Sequence, residues 1–159
     1  MPTAKMRPQC VQAHRRVVIA ADERRAGYEL ALKTARRKRD STVCVETTLD
    51  IDAGARAMAA LLNRHRDVRA VFCSADAIAV GALYECQRRD LEISGRIAIA
   101  GFDDTPIAAQ VVPSLTTLRV PRYYIGQRAG EMIRARLGDE KVKPRIVDTG
   151  YELVKHKSA

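Results

Sequence analysis

The feature that most constrains this chain is a rhythm: short apolar runs, each followed by one stretch of helical periodicity. Residues 16–20 (Arg-Val-Val-Ile-Ala) read as a buried strand. Residues 22–39 read as a helix, opened by Asp22 and Glu23 and closed by Arg36, Arg37, Lys38 and Arg39, a polarity that complements the helix dipole at both ends. Residues 43–46 form a second strand. Asp52 is placed to cap the next helix, with Ala55, Met58, Leu61 and Leu62 as its apolar stripe. Residues 68–73 are a third strand, and Ser74 can cap a helix to about Arg89 with Ala79, Ala82, Leu83 and Cys86 on one face. Residues 97–100 are a fourth strand, followed by the loop Gly101-Phe102-Asp103-Asp104. Strands separated by single helices cannot pair as hairpins. They pair in parallel through right-handed crossovers, with helices covering both faces of an open sheet. The fold class expected is therefore α/β.

Beyond Asp104 the rhythm changes. Residues 106–112 suggest a short helix with Ile107 and Val111 exposed, and residues 115–120 a strand that stops at Pro121. Residues 123–137 suggest a helix ended by Gly138, and residues 145–148 and 151–155 two short strands around Thr149-Gly150. The chain of 159 residues is the length of one ordinary domain. No apolar run approaches the roughly 20 residues of a membrane span, and no apolar stretch follows Lys5 and Arg7, so no membrane partner and a cytoplasmic address are expected.

The formal charge of +9 is uneven: residues 1–69 carry 15 basic and 8 acidic side chains. The densest cluster, Arg36 to Arg39, suits either a nucleic-acid patch or a solvated helix end. Trp is absent and aromatics are 4%, which argues against a base-stacking platform. Cysteines at 10, 44, 73 and 86 form no CxxC pair and His14, His65 and His156 are scattered, so neither a metal nor a cofactor is expected. Cys44 and Cys73 lie in apolar runs, as reduced, buried thiols of a cytoplasmic protein would. No GxSxG, HExxH, GxGxxG or Walker loop is present, and no His is placed to activate a nucleophile, so the chain is not expected to be an enzyme.

An open parallel sheet binds ligands beyond the carboxyl ends of its strands. The residues expected there are Asp22, Glu23 and Arg24, then Thr47, Thr48, Leu49 and Asp50, then Ser74, Ala75 and Asp76, then Asp103 and Asp104. Carboxylates accept from hydroxyls and an Arg fork grips a carboxylate or a hydroxyl pair, a mixture suited to a polyhydroxylated ligand. Each residue has a structural alternative: Asp22, Asp52 and Asp76 are good helix-start residues, and Asp103 and Asp104 suit a turn.

Four motifs in order resemble the lactose-repressor-type (LacI/GalR) transcriptional regulators. The run from Ala70 to Ala82 (AVFCSADAIAVGA) is similar to their strand, (N/G)D and xxAxGA helix segment. Residues 97–104 (IAIAGFDD) are similar to their sVvGfDd strand and loop, residues 113–118 (PSLTTL) to their P-x-LTT-v crossover, and residues 24–28 (RRAGY) to their RxxGf helix start. Residues 85–89 and 121–126 most resemble the gluconate-utilisation repressors within that family.

The resemblance implies a periplasmic-binding-protein-like core that senses a sugar or sugar acid, gluconate-like in this case. Arg24 would contact effector hydroxyls or a carboxylate, and Asp103 would accept from a hydroxyl. Ala75, beside Asp76, stands where many members have a ligand-binding Asn, and Leu49 stands near a frequent ring-stacking aromatic. Both departures count against a pyranose ligand and fit an open-chain sugar acid no worse. The family dimerises through outer helices, which would place Val80, Leu83, Tyr84, Ile107 and Val111 at a two-fold seam, with a core role as the alternative for Val80 and Leu83. The expected partner is a second copy or a full-length homologue. The matched motifs begin with the family's second lobe. The expected division is residues 1–13 unassigned, 14–118 the effector-binding lobe, and 119–159 a crossover helix and terminal strands left from the other lobe. No helix-turn-helix reader is recognisable, so no direct DNA binding is expected. The alternative is a dimerisation or interaction module, or a fragment without function.

Overall fold

The computed structural model describes residues 8–13, 19–35, 44–138, 144 and 146–159. Four parallel strands form one sheet in the order β2-β1-β3-β4: β1 (Pro8–Ala13), β2 (Cys44–Thr47), β3 (Ala70–Cys73) and β4 (Ala98–Ala100). They alternate with α1 (Ile19–Thr34), α2 (Ile51–Arg64) and α3 (Asp76–Arg88). The connection from β1 runs to one side of the sheet and the next two run to the other. Right-handed crossovers then set α1 on one face and α2 and α3 on the opposite face. The strand order reverses between β1 and β3, and that switch point is where an α/β sheet opens a crevice.

The first strand differs from expectation. Pro8–Ala13 occupies its place in the sheet. Of the expected strand at 16–20, residues 16–18 lie outside the described residues, and Ile19 and Ala20 open α1 instead. A short apolar run of this kind suits a buried strand and a helix start equally. Pro8 is tolerated because it is the first residue of its strand. The basic cluster Arg36–Arg39 lies outside the described residues, and α1 ends at Thr34.

The core lies between the sheet and α2–α3. Met58, Leu61, Val68, Ile78, Val80, Leu83, Ile97, Ile99 and Leu115 are completely buried. The stripes expected on α2 and α3 are those that turn inward. The two helices meet backbone to backbone through glycine: a Cβ on Gly81 would stand 1.9 Å from the Ile51 carbonyl oxygen, and one on Gly54 would stand 2.4 Å from that of Ile78. Asp50, not the expected Asp52, caps α2, its Oδ1 accepting from the Ala53 N–H at 2.7 Å while Oδ2 accepts from Thr48 Oγ1 at 2.6 Å. Those bonds hold the Asp50 carboxyl below its ordinary range, the Thr48 hydroxyl contributing most. At α3 the N-cap position is Ala75, without a side-chain bond, so Ser74 does not cap it.

The chain continues through α4 (Pro106–Gln110), β5 (Thr117–Arg119), α5 (Arg122–Leu137) and β6 (Glu152–Val154). β6 pairs antiparallel with β5, and no second strand forms among the described residues at 146–150. The terminal residues are built into the lobe. Ser158 is fully buried, its Oγ donates to the Ile99 carbonyl at 2.6 Å and accepts from the Thr116 N–H at 2.8 Å, and its own carbonyl accepts from the Ile99 N–H at 2.8 Å. The segment after Leu118 is thus not one unit. β6 pairs with β5 and Ser158 bonds to β4 at Ile99, while α5 buries none of its residues and exposes Tyr123, Ile133 and Leu137.

Candidate functional site

The switch-point crevice is built around Arg24. It stands in the second turn of α1, which follows β1, and its guanidinium reaches across to the loops after β3 and β4. Nη1 donates to the Ser74 carbonyl at 2.8 Å, fixing the fork at the end of β3. The guanidinium carbon lies 3.8 Å from the centroid of the Phe102 ring, a cation–π seat. Nη2 stands 3.8 Å from Asp103 Oδ1. That is an ion-pair distance but too long for a hydrogen bond, so fork and carboxylate both keep bonding capacity. Their side chains are 28% and 31% exposed, open enough for a ligand to reach.

The loop that presents Asp103 is strained and firmly held. Asp103 has φ 112° and Asp104 φ 48°, two successive non-glycine residues in left-handed space. Such a backbone persists where its surroundings over-determine it, and it clusters at binding sites. Asp103 N–H donates to the Leu118 carbonyl at 2.9 Å. Asp104 Oδ2 accepts from Arg119 Nε at 2.6 Å, and its carbonyl from Arg122 Nη2 at 3.4 Å. Burial raises the Asp103 carboxyl above its ordinary value, and the Asp76 charge adds to this, while Arg24 and Arg122 oppose it.

Asp76 plays a different part from the one expected. It is completely buried. Oδ1 accepts from Thr117 Oγ1 at 2.6 Å, and Oδ2 accepts from the Thr105 N–H at 2.6 Å and Thr105 Oγ1 at 2.8 Å. Its own N–H donates to the Phe102 carbonyl at 2.9 Å. Gly101 passes directly over it, since a Cβ there would stand 2.4 Å from Oδ1. Asp76 is therefore the internal clamp under the Asp103 loop, with no face left for a ligand. Ala75 is 4% exposed and offers the crevice backbone only, whereas Leu49 stands 58% exposed between β2 and α2. Phe102 and Arg122 were not singled out from sequence, and Ser74 was expected at this edge but not through its carbonyl. Phe102 had a signal in its place beside Asp103, but the carbonyl had none.

The outer residues divide. Val80 and Leu83 are completely buried and Val111 is 7% exposed, so the core claims them and they present little or nothing to a partner. α3 is covered almost all round, which amphipathic reading of one face cannot show. Tyr84 is 38% exposed and Ile107 half-buried, and Val112 rather than Val111 stands out, at 77%. Among the described residues no group of His, Cys, Asp and Glu could hold a metal, and no helix is long and apolar enough to cross a membrane.

The profile of the periplasmic binding protein-like domain matches residues 10–159. The chain belongs to that family. Its fold is the core found in LacI-family transcriptional regulators. The HTH-type transcriptional regulator GntR of Escherichia coli (strain K12) is 34% identical over 127 residues, 80% of this chain and 38% of that protein. The transcription regulator GntR from Chromobacterium violaceum superposes with a TM-score of 0.87 at 30% identity, over 96% of this chain and 56% of that one. A transcriptional regulator CelR–cellobiose complex superposes with a TM-score of 0.89 at 27% identity, over 96% of this chain and 46% of that one. The chain thus spans about two fifths of that curated relative and about half of those solved chains. All three are named as regulators, not as enzymes.

Proposed function

We propose that this chain is the effector-binding lobe of a LacI-type transcriptional regulator and takes a sugar acid at the switch-point crevice. The observation that carries the reading is the meeting of Arg24 and Asp103 over the Phe102 ring. The Arg24 fork, anchored on one side by Ser74, keeps donors for a carboxylate or a pair of hydroxyls. The Asp103 carboxylate accepts from a further hydroxyl. Leu49 in place of an aromatic gives a sugar ring nothing to stack on, which favours an open-chain acid such as gluconate. In a regulator of this type the effector acts by binding one arrangement of two lobes better than another, and so biases the DNA reader. A cytoplasmic setting goes with that role, and the buried Cys73 and Cys86 thiols agree with it.

Isothermal titration with gluconate, with glucose and cellobiose as uncharged arms, tests this. Gluconate is expected to give saturable heats, and Arg24→Ala to weaken it at least about tenfold, about 1.4 kcal/mol. Heats equal to dilution for gluconate and related acids at millimolar concentration would refute the sensor role. A second reading, association with another copy or a homologue, is favoured by the exposed apolar side chains of α5, among them Tyr123, Ile133 and Leu137, together with exposed Tyr84 and Val112. Light scattering tests it, and a monomer at all concentrations counts against it.

A further inference from the structure

A second concavity, of about 430 Å³, lies at the opposite end of the lobe, where α2 and α3 finish and the chain turns into β3 and β4. Leu62, Asn63, Arg66, Arg89, Leu91 and Arg96 line it. Three of the lining residues are arginines and, among the described residues, none of those lining it carries a carboxylate. Arg89 shares Glu85 with Arg88: Arg89 Nε donates to Glu85 Oε1 at 2.6 Å and Arg88 Nη2 to Oε2 at 2.7 Å. Arg96 is spent on neutral groups, donating to the carbonyls of Val68 and Arg66. Neither Arg66 nor Arg96 meets a carboxylate among the described residues. About two positive charges are therefore left without a counter-charge among the described residues.

The local explanation, that these arginines neutralise helix carboxyl ends, does not account for the whole arrangement. Arg89 donates to the Asn63 side chain and Arg96 to the Val68 and Arg66 carbonyls, none of them a helix-end carbonyl, and part of each helix end is engaged by backbone. His65 N–H donates to the Leu61 carbonyl, and the N–H groups of Arg89 and Leu91 donate to that of Cys86. Arg96, by holding the Arg66 carbonyl, pins the backbone from which the Arg66 side chain reaches the pocket. Arg89 Nη1 donates to Asn63 Oδ1 at 2.9 Å, which leaves the Asn63 amide nitrogen as a donor. The wall is part basic fork and part aliphatic, and the volume is several times that of a bare oxyanion.

We propose that this pocket binds a small phosphomonoester, its dianionic phosphate taken by Arg66, Arg89 and Arg96 and its organic part resting on Leu62 and Leu91. A phosphate monoester carries about −1.5 to −2 at neutral pH, which matches the uncompensated charge. Arginine forks suit phosphate oxygens better than point charges do. The site is independent of the Arg24–Asp103 crevice, so either can fail without the other.

Titration calorimetry at constant ionic strength tests it, with glycerol 3-phosphate, inorganic phosphate and glycerol as probes. Glycerol 3-phosphate is expected to bind at millimolar concentration or better, inorganic phosphate more weakly, and glycerol not at all. Arg66→Glu, at an exposed position, should keep the urea midpoint and weaken glycerol 3-phosphate at least about tenfold. Arg134→Glu on α5 makes the same change in net charge and should leave binding unaltered. Absence of saturable heat, or equal weakening by the two variants, overturns the proposal. Equal binding of inorganic phosphate and glycerol 3-phosphate overturns its organic half.

Discussion

Replacing Asp76 by alanine is expected to be among the most damaging single changes in this lobe, though the residue is completely buried and has no face left for a ligand. Three hydrogen bonds end on its carboxylate, from the Thr105 N–H, Thr105 Oγ1 and Thr117 Oγ1, at 2.6–2.8 Å. Bonds to a charged acceptor contribute about 1.5–3 kcal/mol each, so the gross loss is about 4.5–9 kcal/mol. Removing the carboxylate also removes its desolvation penalty, which is several kcal/mol. The net loss expected is about 3–5 kcal/mol, as for other buried charges whose partners are orphaned. In a domain stable by about 5–15 kcal/mol that is a large share. Asp76→Asn keeps the shape and one acceptor oxygen: the amide can face Thr117 Oγ1 while its oxygen keeps both Thr105 donors. It should lose about 1–2 kcal/mol. Urea unfolding followed by circular dichroism gives both values, provided the slope is unchanged. If alanine loses less than about 1 kcal/mol, or asparagine is as harmful as alanine, the clamp is not what holds the Asp103 loop.

Gly81→Ala would drive a Cβ to 1.9 Å from the Ile51 carbonyl, where backbone cannot yield, and a loss of about 3 kcal/mol or failure to fold is expected in the same unfolding assay. Gly27→Ala, with open space around it in α1, should be neutral or stabilising by up to about 1 kcal/mol. The Glu85 carboxyl is raised by burial, but the bonds and charges of Arg88 and Arg89 outweigh this and hold it below its ordinary 4.5. Its stabilisation is thus complete above about pH 4.5 and lost as the pH falls through the depressed value, and Glu85→Gln should flatten that part of a stability–pH curve. Amides of α5, which buries no residue, should exchange fastest among the helices and well before those of β3. Equal protection by mass spectrometry would mean that α5 is covered in solution.

What could be read from the sequence follows from where burial is complete. β3 and β4 are unbroken apolar runs and α3 is buried nearly all round, and their expected positions shift by only a residue or two. β1 was misplaced because its segment, Pro-Gln-Cys-Val-Gln-Ala, interrupts apolar residues with amides and opens on proline, while the more apolar run lies closer to α1. The cap of α2 was misassigned by two residues because Asp50 and Asp52 are equally suitable by type. The choice falls to whichever side chain reaches the Ala53 N–H. Val80 and Leu83 show the limit of periodicity on a helix buried nearly all round, where an outer face cannot be told from an inner one.

The same limit explains why two aspartates at one sheet edge, both ligand candidates from sequence, take different parts. From sequence, Asp76 and Asp103 are both carboxylates beyond a strand end, and nothing local says which way either points. The decision rests with distant donors: Thr105 and Thr117 close on Asp76, while Arg24 only approaches Asp103. Gly101 lets β4 pass close enough for this division, so that one carboxylate holds the loop while the other is presented by it. The chain then leaves the lobe through residues that grip the same loop. Thr117 bonds Asp76, Leu118 takes the Asp103 N–H, Arg119 takes Asp104, and Arg122 at the start of α5 takes the Asp104 carbonyl. A displacement of β5 or of the first turn of α5 must therefore be taken up at the strained Asp103–Asp104 backbone. That joins the position of the crossover to the geometry of the effector crevice by bonded contacts, with no intermediate element.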